Sequence, residues 1–348
     1  MAAIDSATQK LRSYTSDSAS FVEESLGPSE FAPQDVSKHG IGTNSSVVLA
    51  PKICWKFLIN YELTFLAAIS QGPRGKISRL RGVDVYITKP IEEPGNPPKF
   101  LLFLTGATGL YSVNNQIQAD KFADEGFLVV LPDMFPNDPL PGSATYVEEK
   151  DPTIIEQMKL RIAETVKSFL IDMWLARQTP EKVIPIIRKV IEAAKTEFSD
   201  VIANGGGIYS VGFCFGGRLI LLLAKEGSNH LPPISRTQRA EDEESSLGDR
   251  SPLIKTGAIC HATQVAKADF ENIKSPLCFI CVENDQLFPE EVRMYGEQSM
   301  KFDKVDCEFK TYSGVPHGFA VVGEYEDENI KAAQEEAFNQ IVSWLRRN

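Results

Sequence analysis

The segment VGFCFGGRLILLLA, residues 211–224, places a cysteine at the corner between a short apolar run and an apolar stretch of helical character. Cys214 is surrounded by Gly212, Gly216 and Gly217. A nucleophile elbow needs small residues at such positions, because strand and helix approach each other closely around a strained turn. The N–H groups and the dipole at the start of the helix would favour a thiolate. The pattern predicts a nucleophile; a structural cysteine packed in a tight turn is the alternative.

Two side chains later in the chain could complete a catalytic triad with this cysteine. In CFICVENDQLFP, Asp285 stands just past an apolar run, in a loop closed by Pro289. In FKTYSGVPHGF, His317 follows another such run within a Gly/Pro turn. Nucleophile, acid and histidine have this chain order in α/β-hydrolases. His261, in the segment CHAT, falls between nucleophile and acid, so we interpret it as a structural or pocket-lining residue.

The segments that must position these residues alternate between strand-like and helix-like patterns. Short apolar or β-branched runs are bounded by glycine, proline or polar residues, and helical segments separate them. This alternation predicts an α/β fold with a mostly parallel sheet, flanked by helices on both faces, in a single domain. The predicted strands are GVDVYIT, KFLLFLT, GFLVVLP, GIYSVGF, KTGAICH, PLCFICV and VDCEFKTY, and the predicted helices are NNQIQADKFADEG, IIEQMKLRIAETVKSFLIDMWLARQ, IPIIRKVIEAAKTEF, GRLILLLAKEG, EEVRMYGEQSMKF and NIKAAQEEAFNQIVSWLRR.

The composition argues against several classes of function. With 36 basic and 47 acidic residues the net charge is −11, which disfavours nucleic acid or an anionic membrane surface as a partner. Proline and charged residues interrupt the apolar segment 47–70, so no membrane-spanning helix is expected. The cysteines lie mostly in strand-like runs, and four scattered histidines indicate no metal site. We expect a cytoplasmic protein that uses neither metal nor cofactor.

One pair of cysteines has the spacing of a redox or zinc motif. Cys278 and Cys281 form a CxxC inside PLCFICVEN, which is typical of a buried strand. Residues three apart on a strand face opposite sides of the sheet. The two thiols are therefore not expected to act as a pair.

The first 70 residues differ from the remainder of the chain. Residues 1–45 are rich in Ser, Thr, Asp and Glu and lack sustained periodicity. Such a segment has little apolar surface to bury, and we expect it to be a mobile extension. The predicted organisation is a partly disordered extension over residues 1–70 and a catalytic domain over residues 71–348.

Four motifs in combination resemble the dienelactone hydrolase family, and its fungal members most of all. They are GFCFGG, ENDQLFP, VPHGF and LVVLPDMF, the last at residues 128–135. The stretch QGPRGKISRLRGVDVYI, residues 71–87, resembles the opening of that family. The resemblance covers the chain from about residue 71 to its end, and it implies an α/β-hydrolase-type fold.

The resemblance also implies a reaction and the residues that carry it. The reaction is hydrolysis of a carboxylic ester or lactone through an acyl-enzyme on Cys214. His317 would be the base and Asp285 would orient it. The backbone N–H groups of Phe215 and Ala107 would hold the oxyanion of the tetrahedral intermediate.

The sequence departs from the family pattern at two places that bear on the pocket. Bacterial members carry a glutamate that helps to activate the thiol; Gly106 stands there, which leaves thiol activation to His317. They also carry an arginine for a substrate carboxylate shortly after the histidine, where this chain has Ala320, Val321 and Val322.

These departures favour a neutral or larger lactone or ester over a substrate with a free carboxylate. The missing charge-assisted contact would be worth about 1.5–3 kcal/mol. Arg161 or Arg177, on the long predicted helix, could supply a cation instead.

Three functions remain open from the sequence. The first is a cysteine-dependent hydrolase of a small ester or lactone, acting as a monomer or small homo-oligomer. The second uses the same acyl chemistry with another acceptor, as an acyl transferase, thioesterase or cyclisation catalyst. The third is a catalytically degenerate ligand-binding protein, which the intact order of Cys214, Asp285 and His317 argues against.

Overall fold

The structure is a computed structural model that describes residues 72–90, 97–139, 173–225, 227 and 251–348. All of these belong to one compact unit, Trp55–Asn348. The predicted extension over residues 1–70 lies outside the described residues, as do Cys54 and Arg161. The division of the chain at residue 70 therefore stays a prediction.

The apolar runs of the sequence form one sheet of eight strands in the order β1-β2-β4-β3-β5-β6-β7-β8. The pairings β1–β2 and β2–β4 are antiparallel, and the other five are parallel. The prediction of a mostly parallel sheet is confirmed. The strands are β1 Lys76–Leu80, β2 Val83–Thr88, β3 Lys99–Leu104, β4 Phe127–Pro132, β5 Tyr209–Phe213, β6 Thr256–Cys260, β7 Leu277–Val282 and β8 Cys307–Tyr312.

Helices follow the strands as the alternating pattern requires. The predicted helix over residues 154–178 lies mostly outside the described residues, and its described part is helical from 173 to 177. The other five predicted helices form, and the short α3 was not predicted. The bounds are α1 Val113–Asp124, α2 Pro180–Glu197, α3 Ser199–Gly205, α4 Phe215–Leu223, α5 Glu290–Phe302 and α6 Glu328–Arg347, with a 3-10 turn at Lys267–Phe270.

Both faces of the sheet are buried, which accounts for the continuous apolar strands. The apolar face of α2 packs with α4 in one core cluster, and α1 packs with the apolar face of α6 in the other. Cys281 belongs to the first cluster and Cys278 to the second. The prediction that these two thiols face opposite sides of the sheet is confirmed.

The parallel strands β3, β5, β6, β7 and β8 bring their carboxyl ends to one edge of the sheet, where the loops that follow them meet. Reactive groups gather at this edge in open α/β sheets. In the part of the chain that the structure describes, every helix is too short or too polar to span a bilayer.

Candidate active site

Cys214 sits at the corner between β5 and α4 in a strained backbone conformation. Its φ and ψ angles are 53° and −117°, a backbone region that residues other than glycine rarely occupy. Backbone hydrogen bonds hold this turn: the Cys214 N–H donates to the Cys260 carbonyl over 3.0 Å, and its own carbonyl accepts from Gly217 over 3.0 Å. Such strain is typical of a nucleophile elbow, which projects the side chain out of the turn.

The glycines around the cysteine allow this turn to form. A Cβ atom on Gly212 would lie 2.4 Å from the Gly216 carbonyl oxygen, and one on Gly216 would lie 2.3 Å from the Leu104 carbonyl oxygen. Neither position has room for a side chain. At Gly217 the crowding is milder, with Ala262 Cβ at 3.1 Å. The spacing that pointed to an elbow therefore has a steric cause.

The structure brings together the three side chains expected to form a triad. His317 Nδ1 lies 2.8 Å from Asp285 Oδ2, and Asp285 Oδ1 accepts from the Leu287 N–H over 2.9 Å. The side chain of Asp285 is only 3% exposed. A carboxylate at Nδ1 fixes the proton there when the ring is neutral, so that Nε2 is directed to the thiol as an acceptor.

A fourth side chain, which no motif of the sequence indicates, completes this cluster. The hydroxyl Oγ1 of Thr263 lies 3.1 Å from Cys214 Sγ and 3.4 Å from His317 Nε2. Thr263 belongs to the quoted segment CHAT, directly after β6, but a threonine in a loop carries no signal of chemistry by itself. The thiol thus has a hydroxyl beside it in addition to the expected His317.

The electrostatics of the cluster favour a thiolate beside an imidazolium. Burial opposes ionisation of Cys214, but contacts with His317, the Thr263 hydroxyl and the Phe215 N–H hold the pKa of the thiol below its usual value. Burial alone would lower the pKa of His317, whereas the Asp285 carboxylate and the Cys214 sulfur raise it to about 9. Burial also opposes the charge of Asp285, yet its bonds to His317 keep the pKa of the carboxyl low.

The ring of His261 packs against that of His317. Its ring centroid is 4.9 Å from that of His317 in an edge-to-face arrangement, and the residue is only 1% exposed. Within the described part of the chain neither ring nitrogen has a hydrogen-bond partner. Burial, and next the charge of His317, hold its pKa well below the usual value. His261 is therefore a neutral ring packed against His317, and its interpretation as a structural or pocket-lining residue stays a prediction.

The residues expected at the oxyanion site lie on two sides of the thiol. Phe215 opens α4, and its N–H contacts the Cys214 sulfur. Gly106, after β3, passes so close that a Cβ there would lie 3.1 Å from Cys214 Cβ and 3.7 Å from Sγ. Ala107 follows Gly106 and packs against the core. The loop after β3 and the start of α4 thus flank the sulfur, while the role of the two N–H groups stays a prediction.

Val322, which we expected in the substrate pocket, is almost fully buried, and its place in that pocket stays a prediction. It is 3% exposed, and its backbone N–H donates over 2.8 Å to Gln118 Oε1 on α1. An arginine at this position would be buried. Arg177, the alternative cation, pairs with Asp138 over 3.0 Å. In the described ranges, His, Cys, Asp and Glu side chains form no group of three or more that could hold a metal ion.

The chain resembles known proteins of one family over most of its length. The sequence model described as the dienelactone hydrolase family matches residues 83–232 and 247–348. The chain is 26% identical over 277 residues to a protein of Talaromyces stipitatus named hydrolase tropI, covering 79% of this chain and 91% of that one. It is 25% identical over 287 residues to dienlactone hydrolase 1 of Gibberella moniliformis, covering 78% and 87%.

A solved structure shows the same fold. The crystal structure of a protein of Klebsiella pneumoniae, titled a putative dienelactone hydrolase, superposes with a TM-score of 0.55. The two chains are 13% identical, and the match covers 79% of this chain and 99% of the other. The α/β-hydrolase fold expected from the motifs is thereby confirmed.

Proposed function

The chain belongs to the dienelactone hydrolase family and is a carboxylic ester or lactone hydrolase, and we propose that it acts through Cys214 as a nucleophile that forms an acyl-enzyme. One observation carries this proposal. A cysteine in a strained elbow shares a hydrogen-bonded cluster with His317, which in turn bonds to the buried Asp285. Such an arrangement of nucleophile, base and orienting acid activates a nucleophile for acyl transfer.

In the first half-reaction the Cys214 thiolate attacks the carbonyl carbon of the ester or lactone, and the carbonyl oxygen becomes an oxyanion. The Phe215 N–H at the start of α4 and the Ala107 N–H are the donors that would stabilise this charge. The intermediate collapses when the carbon–oxygen bond of the leaving group breaks. The imidazolium of His317 gives its proton to the departing oxygen, and the acyl group remains on sulfur.

In the second half-reaction a water molecule takes the place of the alcohol. His317 is now neutral, and Nε2 accepts a proton from the water as it attacks the thioester carbon. The carbon–sulfur bond then breaks, which releases the carboxylic acid and restores the thiolate beside the imidazolium. Asp285 stabilises the imidazolium in both halves through its bond to Nδ1.

Covalent trapping tests the proposal. When the enzyme is mixed with an activated aryl ester and quenched in acid during the first turnovers, mass spectrometry should find one acyl group on the peptide that contains Cys214. Cys307 serves as an internal control, because it is half-buried and burial raises the pKa of its thiol. Steady hydrolysis without an adduct at any quench time, or with an adduct confined to another residue, would contradict the proposal.

We expect the enzyme to prefer neutral substrates. The residues after His317 provide no cation, and Arg177 is already paired with Asp138. A substrate carboxylate that meets no cation from the described residues would lose water without gaining a partner, which is unfavourable. For a neutral ester and a carboxylate-bearing ester of the same size, kcat/KM should differ by about tenfold or more.

The alkaline hydrolysis rates of the two esters, measured without enzyme, correct this comparison for their intrinsic reactivity. A corrected preference for the anionic ester would show that a cation reaches the pocket. Val322→Arg is unsuitable as a test, because the guanidinium would be buried and its destabilising effect would obscure any change in selectivity.

A further inference from the structure

We propose that Thr263 is a catalytic residue whose hydroxyl donates a hydrogen bond to the Cys214 thiolate and stabilises it. The inference rests on the proposed cysteine mechanism. It concerns a residue that neither the elbow motif nor the order of the triad residues indicates.

The contacts of the hydroxyl are those expected of a group that serves the nucleophile. Thr263 is 1% exposed, so its hydroxyl depends on partners within the protein. Oγ1 contacts Cys214 Sγ at 3.1 Å and His317 Nε2 at 3.4 Å. Both partners are members of the catalytic cluster.

The chemistry of a hydroxyl matches the charge state of this pair. A threonine hydroxyl has one donor hydrogen and can accept through its oxygen. When His317 is protonated, its Nε2–H is shared between the sulfur and Oγ1, and the Thr263 hydroxyl donates to the anionic sulfur, so every donor has an acceptor. A hydrogen bond to an anion is stronger than one to a neutral thiol, and it therefore favours the thiolate.

The backbone fixes the hydroxyl relative to the sulfur. The Thr263 N–H donates to the Cys214 carbonyl over 3.2 Å, and the Cys214 N–H donates to the Cys260 carbonyl over 3.0 Å. The next residue, Gln264, donates to the Leu287 carbonyl in the loop that carries Asp285. A β-branched side chain has few rotamers. The hydroxyl is thus held in place before substrate arrives.

Few charged groups compete with this contact. The charge that acts on the sulfur is that of His317, which faces it, and Asp285 lies behind that imidazole. His261, at the end of β6, is neutral. Arg293 on α5 acts on Asp285 and bonds to Thr311. Removing the hydroxyl removes none of these charged side chains, so a shift in the ionisation of Cys214 reports the loss of the hydroxyl's contacts with the sulfur and with His317 Nε2.

The experiment compares Thr263→Val, which keeps the shape and removes the hydroxyl, with Thr263→Ser, which keeps the hydroxyl. The rate at which iodoacetamide alkylates the Cys214 peptide is followed by mass spectrometry across pH, because only the thiolate reacts. In Thr263→Val the pH at which the alkylation rate is half its maximum, the alkylation midpoint, should rise by about one pH unit. At pH values below this midpoint kcat/KM should fall roughly tenfold. Thr263→Ser should follow the wild type in both measurements.

The activity of Thr263→Val should recover as the pH rises past its new midpoint, which a merely structural defect would not do. If Thr263→Val does not fold, Thr263→Ala compared with Thr263→Ser makes the same test. An alkylation midpoint unchanged from wild type in a folded variant without the hydroxyl would overturn the inference. The alkylation midpoint is defined without turnover, so failure of the cysteine mechanism itself would appear separately, as ester hydrolysis that survives in Cys214→Ala.

Discussion

Replacing Cys214 by alanine should reduce the kcat of ester hydrolysis by about 10⁴-fold or more while the protein still folds. The loss follows from the proposed mechanism, in which Sγ is the atom that bonds to the substrate carbon. The fold should persist because the elbow is held by backbone hydrogen bonds to Cys260, Thr263 and Gly217 and by the glycines that permit close approach, not by the thiol. Hydrolysis rate and melting temperature of the purified variant are the measurements.

The matched controls are Cys278→Ala and Cys281→Ala. Both thiols are buried in β7, and burial raises their pKa, that of Cys281 to about 12. These variants should lose stability, since each leaves a small cavity in a core, but keep kcat per folded molecule. Cys214→Ser should also be weak, because an alcohol needs a stronger base than a thiol does. Wild-type activity in Cys214→Ala would refute the cysteine mechanism.

The sequence predicted the elbow because its cause is local. Gly212 and Gly216 face backbone at 2.4 and 2.3 Å, so the spacing of the glycines records a steric requirement of the turn. The continuous apolar strands likewise record burial on both faces of the sheet. Both features depend on neighbouring residues in the chain, so a single sequence is enough to predict them.

The strand β1 and the helix α3 were not predicted, because neither has such a local pattern in the sequence. β1, Lys76–Leu80, reads KISRL and is exposed at four of its five positions, because it lies at the edge of the sheet. An exposed edge strand needs no apolar run, so no pattern marked it. α3 spans only Ser199–Gly205, too short to show a helical period.

Thr263 was missed for a different reason, which concerns tertiary structure. Its relevance comes from the sheet order, which places β6 beside β5 and so brings the loop after β6 against the elbow. The sequence separates Thr263 from Cys214 by 49 residues. Only the pairing of the two strands shows that a hydroxyl meets the sulfur.

The order of the strands also explains why Asp285 should matter almost as much as the nucleophile. β7 and β8 are neighbours, so the loops at their ends bring Asp285 Oδ2 to 2.8 Å from His317 Nδ1. We expect Asp285→Asn to lower kcat/KM at neutral pH by about 10³- to 10⁴-fold. An asparagine amide can donate to Nδ1, which would place the proton of the neutral ring on Nε2. A protonated Nε2 cannot accept a proton from the thiol or from water.

The effect of Asp285→Asn should also appear in the pH dependence. In the wild type the carboxylate and the thiolate hold the pKa of His317 at about 9, so the imidazolium needed to protonate the leaving group is lost only as the pH rises through that value. Without the carboxylate the pKa of His317 falls toward its ordinary value of about 6.5. The alkaline limb of kcat/KM should therefore move to lower pH, and alkylation of Cys214 near neutral pH should slow because the thiolate loses its cationic partner.

Asp120→Asn is a matched control for this substitution. Asp120 is also a buried carboxylate, but on α1 it accepts hydrogen bonds from Tyr86 and from the Arg74 N–H. Its variant should lose stability yet keep the alkaline limb and the alkylation profile of the wild type. The comparison separates the loss of any buried carboxylate from the loss of the one that sets the charge of His317. If Asp285→Asn kept both profiles unchanged, Asp285 would be a packing residue, and the thiolate would owe its stability to His317 and Thr263 without help from the acid.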